Sequence, residues 1–151
     1  MANLNLDDII LHKPPMRLID DILCIDENFA KCTAKISRDH LFYQTEIDGV
    51  YAWIGIEMMA QTAAAYVYGI MAGKENQNAA KIAFLTSVRQ FNANVDYYPC
   101  GSSLTVIAHK NLLEESYAVF DCEIWQEERK IASAKISAYQ HKTAINFNEE
   151  L

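Results

Sequence analysis

The sequence predicts an α+β fold in which an antiparallel sheet wraps around one long central helix. Two observations carry that prediction. A proline-free run over residues 51–72, rich in Ala, Met, Ile and Tyr, ends at Gly73 and is apolar nearly all round, as a helix buried on most sides would be. On either side of it lie shorter segments that alternate apolar and polar residues, two before and about four after, which is the signature of half-buried strands.

In chain order, residues 16–25 and 29–36 read as a hairpin, with Asp26, Glu27 and Asn28 as its turn. The helix follows, and a polar loop over 74–81 closes it. Strands are then expected at 83–95, 104–113, 117–125 and 131–141. They are separated by Pro99-Cys100-Gly101, by residues 114–116 and by Glu127-Glu128-Arg129. Alternation is cleanest at Ala118, Phe120, Cys122 and Ile124, and at Ala132, Ala134, Ile136 and Ala138, so these positions should face the core. Two strands, one buried helix and about four further strands are most simply arranged as the hotdog fold.

The 151 residues suit one domain spanning 1–151, and no repeat or Pro/Gly/Ser-rich linker divides them. Half the chain is hydrophobic (51%) and 22% is charged, the balance of a soluble globular protein. Although residues 50–73 are strongly apolar, Glu57 and Gln61 stand near the middle, which argues for a buried helix and against a membrane span. No basic, apolar leader opens the chain, so the cytoplasm is the expected location. A formal charge of −7 and the lack of any Lys/Arg run argue against nucleic acid. Cys24, Cys32, Cys100 and Cys122 are widely spaced and form no CxxC, which suggests reduced thiols. Neither a metal-ligand spacing nor a glycine-rich phosphate loop occurs, so no cofactor is expected.

Three motifs carry a family resemblance. Glu57-Met58-Met59-Ala60-Gln61 resembles the E-x-x-A-Q signature of FabA/FabZ-like 3-hydroxyacyl-carrier-protein dehydratases. The run from His12 to Asp20, with Pro14, Pro15 and Leu18, is similar to that family's H-R-x-P-x-x-L-x-D opening. Asp96-Tyr97-Tyr98-Pro99-Cys100-Gly101-Ser102-Ser103-Leu104 resembles its V-x-P-G-D-x-L turn. The three fall in the family's order and span most of the chain. One departure is marked: where the family carries a G-H-F-P loop with a catalytic histidine, residues 41–50 contain none. That absence, with the H-x-x-P-M-x-L opening and with Gly49 and Trp53 ahead of the helix, resembles the divergent ApeP-like dehydratases of aryl polyene biosynthesis.

Dehydration of a 3-hydroxyacyl thioester needs a base to take a proton from C2 and an acid to help the C3 hydroxyl leave. Glu57 suits the acid role, because burial on an apolar helix disfavours a charged carboxyl; an ordinary structural acceptor is the alternative. His12 is the preferred base, since imidazole titrates in the required range, although a histidine ahead of Pro14 and Pro15 could also serve only the local backbone. His40 is the rival base, and Tyr43 a weaker candidate as a hydrogen-bond donor. Gln61, one turn beyond Glu57, shares its face and is expected to support the carboxyl. Backbone N–H groups between Gly49 and Trp53 are candidates for polarising the thioester carbonyl, which makes Gly49 and Trp53 candidate substrate-binding residues. Trp53, Tyr66, Tyr68 and Phe84 either line an acyl tunnel or, more simply, fill the core.

The resemblance also implies an acyl carrier protein as partner, and a homodimer or a heterodimer with another hotdog subunit. Lys13, Arg17, Lys74, Lys81 and Arg89 are the cations that could meet an acidic carrier. Two other activities fit the same fold: a thioesterase using Glu57 to activate water, and a non-catalytic hotdog subunit supporting an active dehydratase.

Overall fold

The computed structural model describes residues 5–6, 14–71 and 83–140. Six strands form one antiparallel sheet: β1 (Asp21–Ile25), β2 (Phe29–Lys35), β4 (Ala83–Ala93), β6 (Ser103–Leu113), β7 (Tyr117–Gln126) and β8 (Arg129–Gln140). Their order across the sheet is β1-β2-β6-β7-β8-β4. Helix α1 (Gly55–Met71) packs on its inner face, and a two-stranded ribbon of β3 (Gly49–Tyr51) and β5 (Tyr97–Pro99) sits at the start of that helix. One helix held against a curved antiparallel sheet is the hotdog arrangement expected from the sequence. Among the described residues, no helix is long and apolar enough to cross a membrane.

The period-two pattern fixes which face of each strand turns inward. Ala30, Cys32 and Ala34 of β2, Leu104, Val106 and Ala108 of β6, and Ala118, Phe120, Cys122 and Ile124 of β7 are all buried. So are Ala132, Ala134 and Ile136 of β8, whereas Ala138 is half-buried near the strand's end. Small residues on the inward faces of β2 and β8 leave room for the larger helix side chains. Tyr66 of α1 meets Phe120 edge-on, with ring centroids 5.5 Å apart. Its hydroxyl reaches the end of the core and donates to the Glu27 carbonyl in the β1–β2 turn, 2.7 Å away.

Three boundaries differ from the sequence expectation, each because backbone groups are claimed elsewhere. The helix begins at Gly55, not near residue 51, after a single 3₁₀ turn at Ala52–Ile54. Ala52 gives its N–H to the Asp96 carbonyl (3.0 Å), and its own carbonyl accepts from the buried Tyr98 hydroxyl (2.9 Å), so residues 51–52 are tied to β5 and cannot join α1. Residues 97–99, expected as part of a turn, pair with residues 49–51 as the second strand of the ribbon. Finally, residues 16–20 do not extend β1, because Leu18 donates its N–H to a helix side chain.

The sheet shields only one side of α1. Met58, Met59, Thr62, Ala65 and Tyr66 are buried, whereas Ile56, Glu57, Ala60, Ala64 and Tyr68 form a half-buried stripe at helical spacing. The nearly all-round apolar character of the helix therefore exceeds what its own sheet covers.

Candidate active site

The site is organised by Gln61, which is 1% exposed. Its Oε1 accepts the Leu18 N–H at 2.7 Å, and its Nε2 donates to the Met16 carbonyl at 3.0 Å and to Glu57 Oε1 at 3.2 Å. A primary amide has one carbonyl and two N–H donors, and here the acceptor and both donors are used. Exchanging oxygen and nitrogen would set two donors against each other at Leu18 and two acceptors at Met16, so the bonds themselves fix the orientation. Gln61 thus stands in for a neighbouring strand, pairing with residues 16 and 18 as a peptide would, while its remaining proton holds the carboxyl one helical turn earlier.

Glu57 lies on the half-buried stripe, not sealed inside the core. The burial expected from its apolar neighbours is only half supplied by this chain, because those neighbours extend round a side of the helix that the sheet leaves uncovered. His12 lies outside the described residues, as do Lys13, Lys74, Lys81 and His141. The chain that leads away from His12 is nonetheless fastened, at residues 16 and 18, to the helix that carries Glu57.

His40 sits in the turn after β2. Its Nδ1 accepts the Phe42 N–H at 3.1 Å, so the neutral ring carries its proton on Nε2. Burial, opposed by the nearby Asp20 carboxylate, pulls its pKa below the ordinary histidine value and favours that neutral form. In this arrangement His40 offers an N–H and no lone pair at Nε2, which fits a donor better than a base. Tyr43 hydrogen-bonds through its hydroxyl to Asp48, which also lies 3.9 Å from Arg38, so its proton is already committed within the loop.

Gly49 and Trp53 prove to be placed for different reasons. A Cβ on Gly49 would stand 2.4 Å from the Tyr98 carbonyl oxygen, so its smallness serves the close approach of β5. Gly55 is constrained in the same way, as a Cβ there would meet the Tyr98 hydroxyl at 2.4 Å. Of the backbone donors considered for the thioester carbonyl, those of Gly49 and Ala52 are taken by Gln44 and Asp96. Trp53, by contrast, is 61% exposed at the entrance to the helix, an unusual position for so large an apolar ring. Tyr66 belongs to the core, Tyr68 to the half-buried stripe, and Phe84 to β4, its side chain outside the described set. Arg17 lies half-buried in the strapped segment and Arg89 is exposed on β4.

What the sequence did not reveal is the strap. Gln61 was identifiable from E-x-x-A-Q as a neighbour of Glu57, but its two bonds to residues more than 40 positions earlier have no local signal.

Fold and site together define a hotdog protein with a carboxyl on its central helix. The family model for ApeP-like proteins, described as ApeP dehydratase, matches residues 4–149, and the chain belongs to that family. A chain of the dehydratase heterocomplex ApeI:P from Xenorhabdus doucetiae superposes with a TM-score of 0.87 at 23% identity, over 98% of this chain and 99% of that one. The E. coli PaaI protein of the phenylacetic acid degradation operon is similar at a TM-score of 0.59 and 16% identity, over 80% and 82% of the two chains. A hypothetical thioesterase from Streptococcus pneumoniae, solved with coenzyme A, gives 0.61 and 11%, over 80% and 84%. At these identities the structural likenesses establish the fold alone. No curated protein matches the sequence.

Proposed function

We propose that this chain removes water from a 3-hydroxyacyl thioester carried on an acyl carrier protein, giving the trans-2-enoyl thioester, in aryl polyene biosynthesis. Its base, His12, takes the C2 proton; Glu57 gives its proton to the C3 hydroxyl, which departs as water while the C2–C3 double bond forms. The observation that carries this reading is the Gln61 strap. His12 precedes Met16 by four residues, which extended chain spans in at most roughly 14 Å. The Met16 carbonyl is itself 3.0 Å from the amide that holds Glu57. An imidazole on that tether can reach the carboxyl, and the two groups would then flank a bound acyl chain.

A second hotdog subunit completes the site in this reading. Glu57 and the stripe of Ile56, Ala60 and Ala64 are only half-covered, and Trp53 projects beside them. A partner laid over this face would exclude water and give the carboxyl the environment an acid needs near neutral pH. Membership of the ApeP-like family, and the likeness to a chain from a two-subunit dehydratase complex, favour a related but different subunit as that partner.

The decisive experiment mixes the purified chain, alone and with a related hotdog subunit, with 3-hydroxyacyl carrier protein and weighs the acyl product. Loss of 18 mass units (about one water) in a Glu57-dependent and His12-dependent manner is expected. Cleavage of the thioester would instead make the chain a thioesterase. If Glu57→Gln and His12→Ala variants both restore full activity to the partner, the chain is a supporting subunit and the catalytic assignment fails.

A further inference from the structure

Tyr98 is fully buried, and its hydroxyl donates to the Ala52 carbonyl at 2.9 Å. Two glycines are shaped around this one residue. A Cβ at Gly49 would stand 2.4 Å from its carbonyl oxygen, and a Cβ at Gly55 would stand 2.4 Å from its hydroxyl. The pairing of residues 97–99 with 49–51 is a backbone matter and asks for no hydroxyl on this ring. Phenylalanine would fill the same core position and crowd Gly55 less, so the hydroxyl needs a reason of its own.

Its acceptor was not bare without it. The Ala52 carbonyl closes the 3₁₀ turn by accepting the Gly55 N–H, and the phenol adds a second donor to the same oxygen. What the second bond changes is the peptide unit to which that oxygen belongs, whose other end is the Trp53 N–H. Hydrogen bonds in series polarise one another, by about 10–30% per bond, so an amide whose carbonyl accepts two donors offers its own N–H more strongly. Burial pushes the Tyr98 phenol well above its ordinary pKa, which keeps the O–H in place at any working pH.

The same bond sets a direction. A trans peptide is planar with its C=O and N–H antiparallel, so holding the Ala52 carbonyl against Tyr98 turns the Trp53 N–H the opposite way, out of the core. The start of a helical turn leaves N–H groups without partners inside it. Here Ala52 gives its N–H to Asp96, the turn has no side-chain cap, and among the described residues none accepts the N–H of Trp53. Glu57 lies on that side too, because Gly55 faces Tyr98 and two residues along a helix amount to about 200° of rotation. The unclaimed amide and the carboxyl therefore leave the helix start on the same side, away from Tyr98.

We infer that Tyr98 is a positioning residue for the reaction: acting through the Ala52–Trp53 peptide, its hydroxyl aims and strengthens the Trp53 N–H as the donor to the thioester carbonyl. This rests on the thioester reading of the site, but not on which reaction follows. Tyr98 itself never touches the substrate.

The test uses the full-length chain, labelled with ¹⁵N-tryptophan and mixed with its related hotdog subunit. The chain has two tryptophans, and Trp125→Phe assigns their backbone amides. The probe is a butyryl-pantetheine analogue in which NH replaces the thioester sulfur, which keeps the carbonyl and leaves nothing to eliminate. The Trp53 amide proton should move downfield saturably while that of Trp125 stays in place. In Tyr98→Phe the movement should be smaller, with the fold unchanged by circular dichroism. An unmoved Trp53 amide at saturating probe, or the same movement in Tyr98→Phe, overturns the proposal.

Kinetics give an independent reading. Tyr98→Phe leaves the Ala52 carbonyl its Gly55 donor, so no buried group is stripped of every partner. It should lower kcat about two- to eightfold with KM nearly unchanged, the share of an N–H donor's roughly 10²- to 10³-fold effect that one polarising bond controls. Mono- and difluorotyrosine placed at position 98 have more acidic hydroxyls and should raise kcat in step with that acidity, which a hydroxyl serving only the fold would not do. A flat fluorotyrosine series overturns the proposal. If water is lost at the native rate in Tyr98→Phe, the dehydratase reading stands and the role of Tyr98 falls. If the Trp53 amide responds as expected but no water is ever lost, the role of Tyr98 at the carbonyl stands and the dehydratase reading falls.

Discussion

The two faces of this sheet handle polar groups in opposite ways. On the outer face, charges meet one another between adjacent strands: His109 Nε2 lies 2.9 Å from Glu123, Lys130 lies 3.5 Å from the same carboxylate, and Lys135 lies 3.6 Å from Asp121. Asn111 adds a bond to Asp121 at 2.9 Å. All of these sit on β6, β7 and β8; Asp121 and Lys135 are direct register partners and the other pairs meet diagonally, so the network closes within neighbouring strands. At the helix side, Gln61 instead joins segments far apart in sequence, bonding residues 16 and 18, and Glu57 beside it is left half-covered. The outer face is what a solvated sheet surface needs; the inner arrangement holds a half-covered carboxyl and is where the proposed chemistry lies.

If that contrast is sound, the largest effect should come from the smallest change on the inner side. Glu57→Gln preserves an oxygen for the Gln61 Nε2–H but removes the transferable proton. Dehydration should fall by about 10²- to 10⁴-fold with almost no change in thermal stability. Full activity in this variant would leave the carboxyl without a role. Gln61→Ala should reverse the balance between activity and stability. It strands the Leu18 N–H and the Met16 carbonyl, costing about 2–4 kcal/mol for two groups that lose their partners. A drop in activity should accompany it, because residues 14–18 are no longer tied to α1. Gln61→Glu is a sharper version: it keeps an acceptor for Leu18, loses both donations and places a second carboxylate against Glu57. Urea unfolding of the three proteins, read beside product formation, separates the two consequences.

The sequence made the sheet and the helix legible because burial there is periodic. Ala118, Phe120, Cys122 and Ile124 face inward for the same reason that their spacing is two. It was mute at residues 16–18 and 97–99. There the backbone is satisfied by Gln61 and by the β3 ribbon, partners more than 40 residues away that no local window contains. Glu57 was found by motif, yet its exposure was not, since hydrophobicity around a helix records everything that covers it, including surfaces on another chain. His40 stood only as the rival base, because its bond with Phe42, which fixes the tautomer, has no signal in the sequence.

A smaller effect is expected from pH. The His40 pKa is lowered in the folded chain, chiefly by burial, so the unfolded chain binds the proton more readily. The stability this neutral ring contributes is complete above the unfolded value near 6.5 and is lost progressively as pH falls below it, through the lower folded value. His40→Asn should flatten the stability profile across that window. An unchanged slope would mean that the ring is no more confined than a surface histidine.

The weakest response belongs to the outer face. Burial pushes the Glu123 carboxyl up, but His109 and Lys130 more than offset this and hold it below the usual carboxylate value. Its contribution is therefore present above an unfolded pKa of about 4.3 and fades as pH falls through the lower folded value. His109→Ala removes the hydrogen bond that does most to hold this carboxyl down, so its folded value should move back toward the unfolded one and the pH dependence of stability in this window should shrink. At neutral pH it should cost less than about 1 kcal/mol, as expected of a solvent-facing pair, and leave dehydration untouched. The network's closure within three neighbouring strands is the reason: each remaining charge still has a partner or water, and nothing on that face reaches Gln61. Loss of dehydration in His109→Ala with an intact fold would mean that the two faces are coupled through the sheet, and that self-satisfied charge is no guide to where the chemistry is absent.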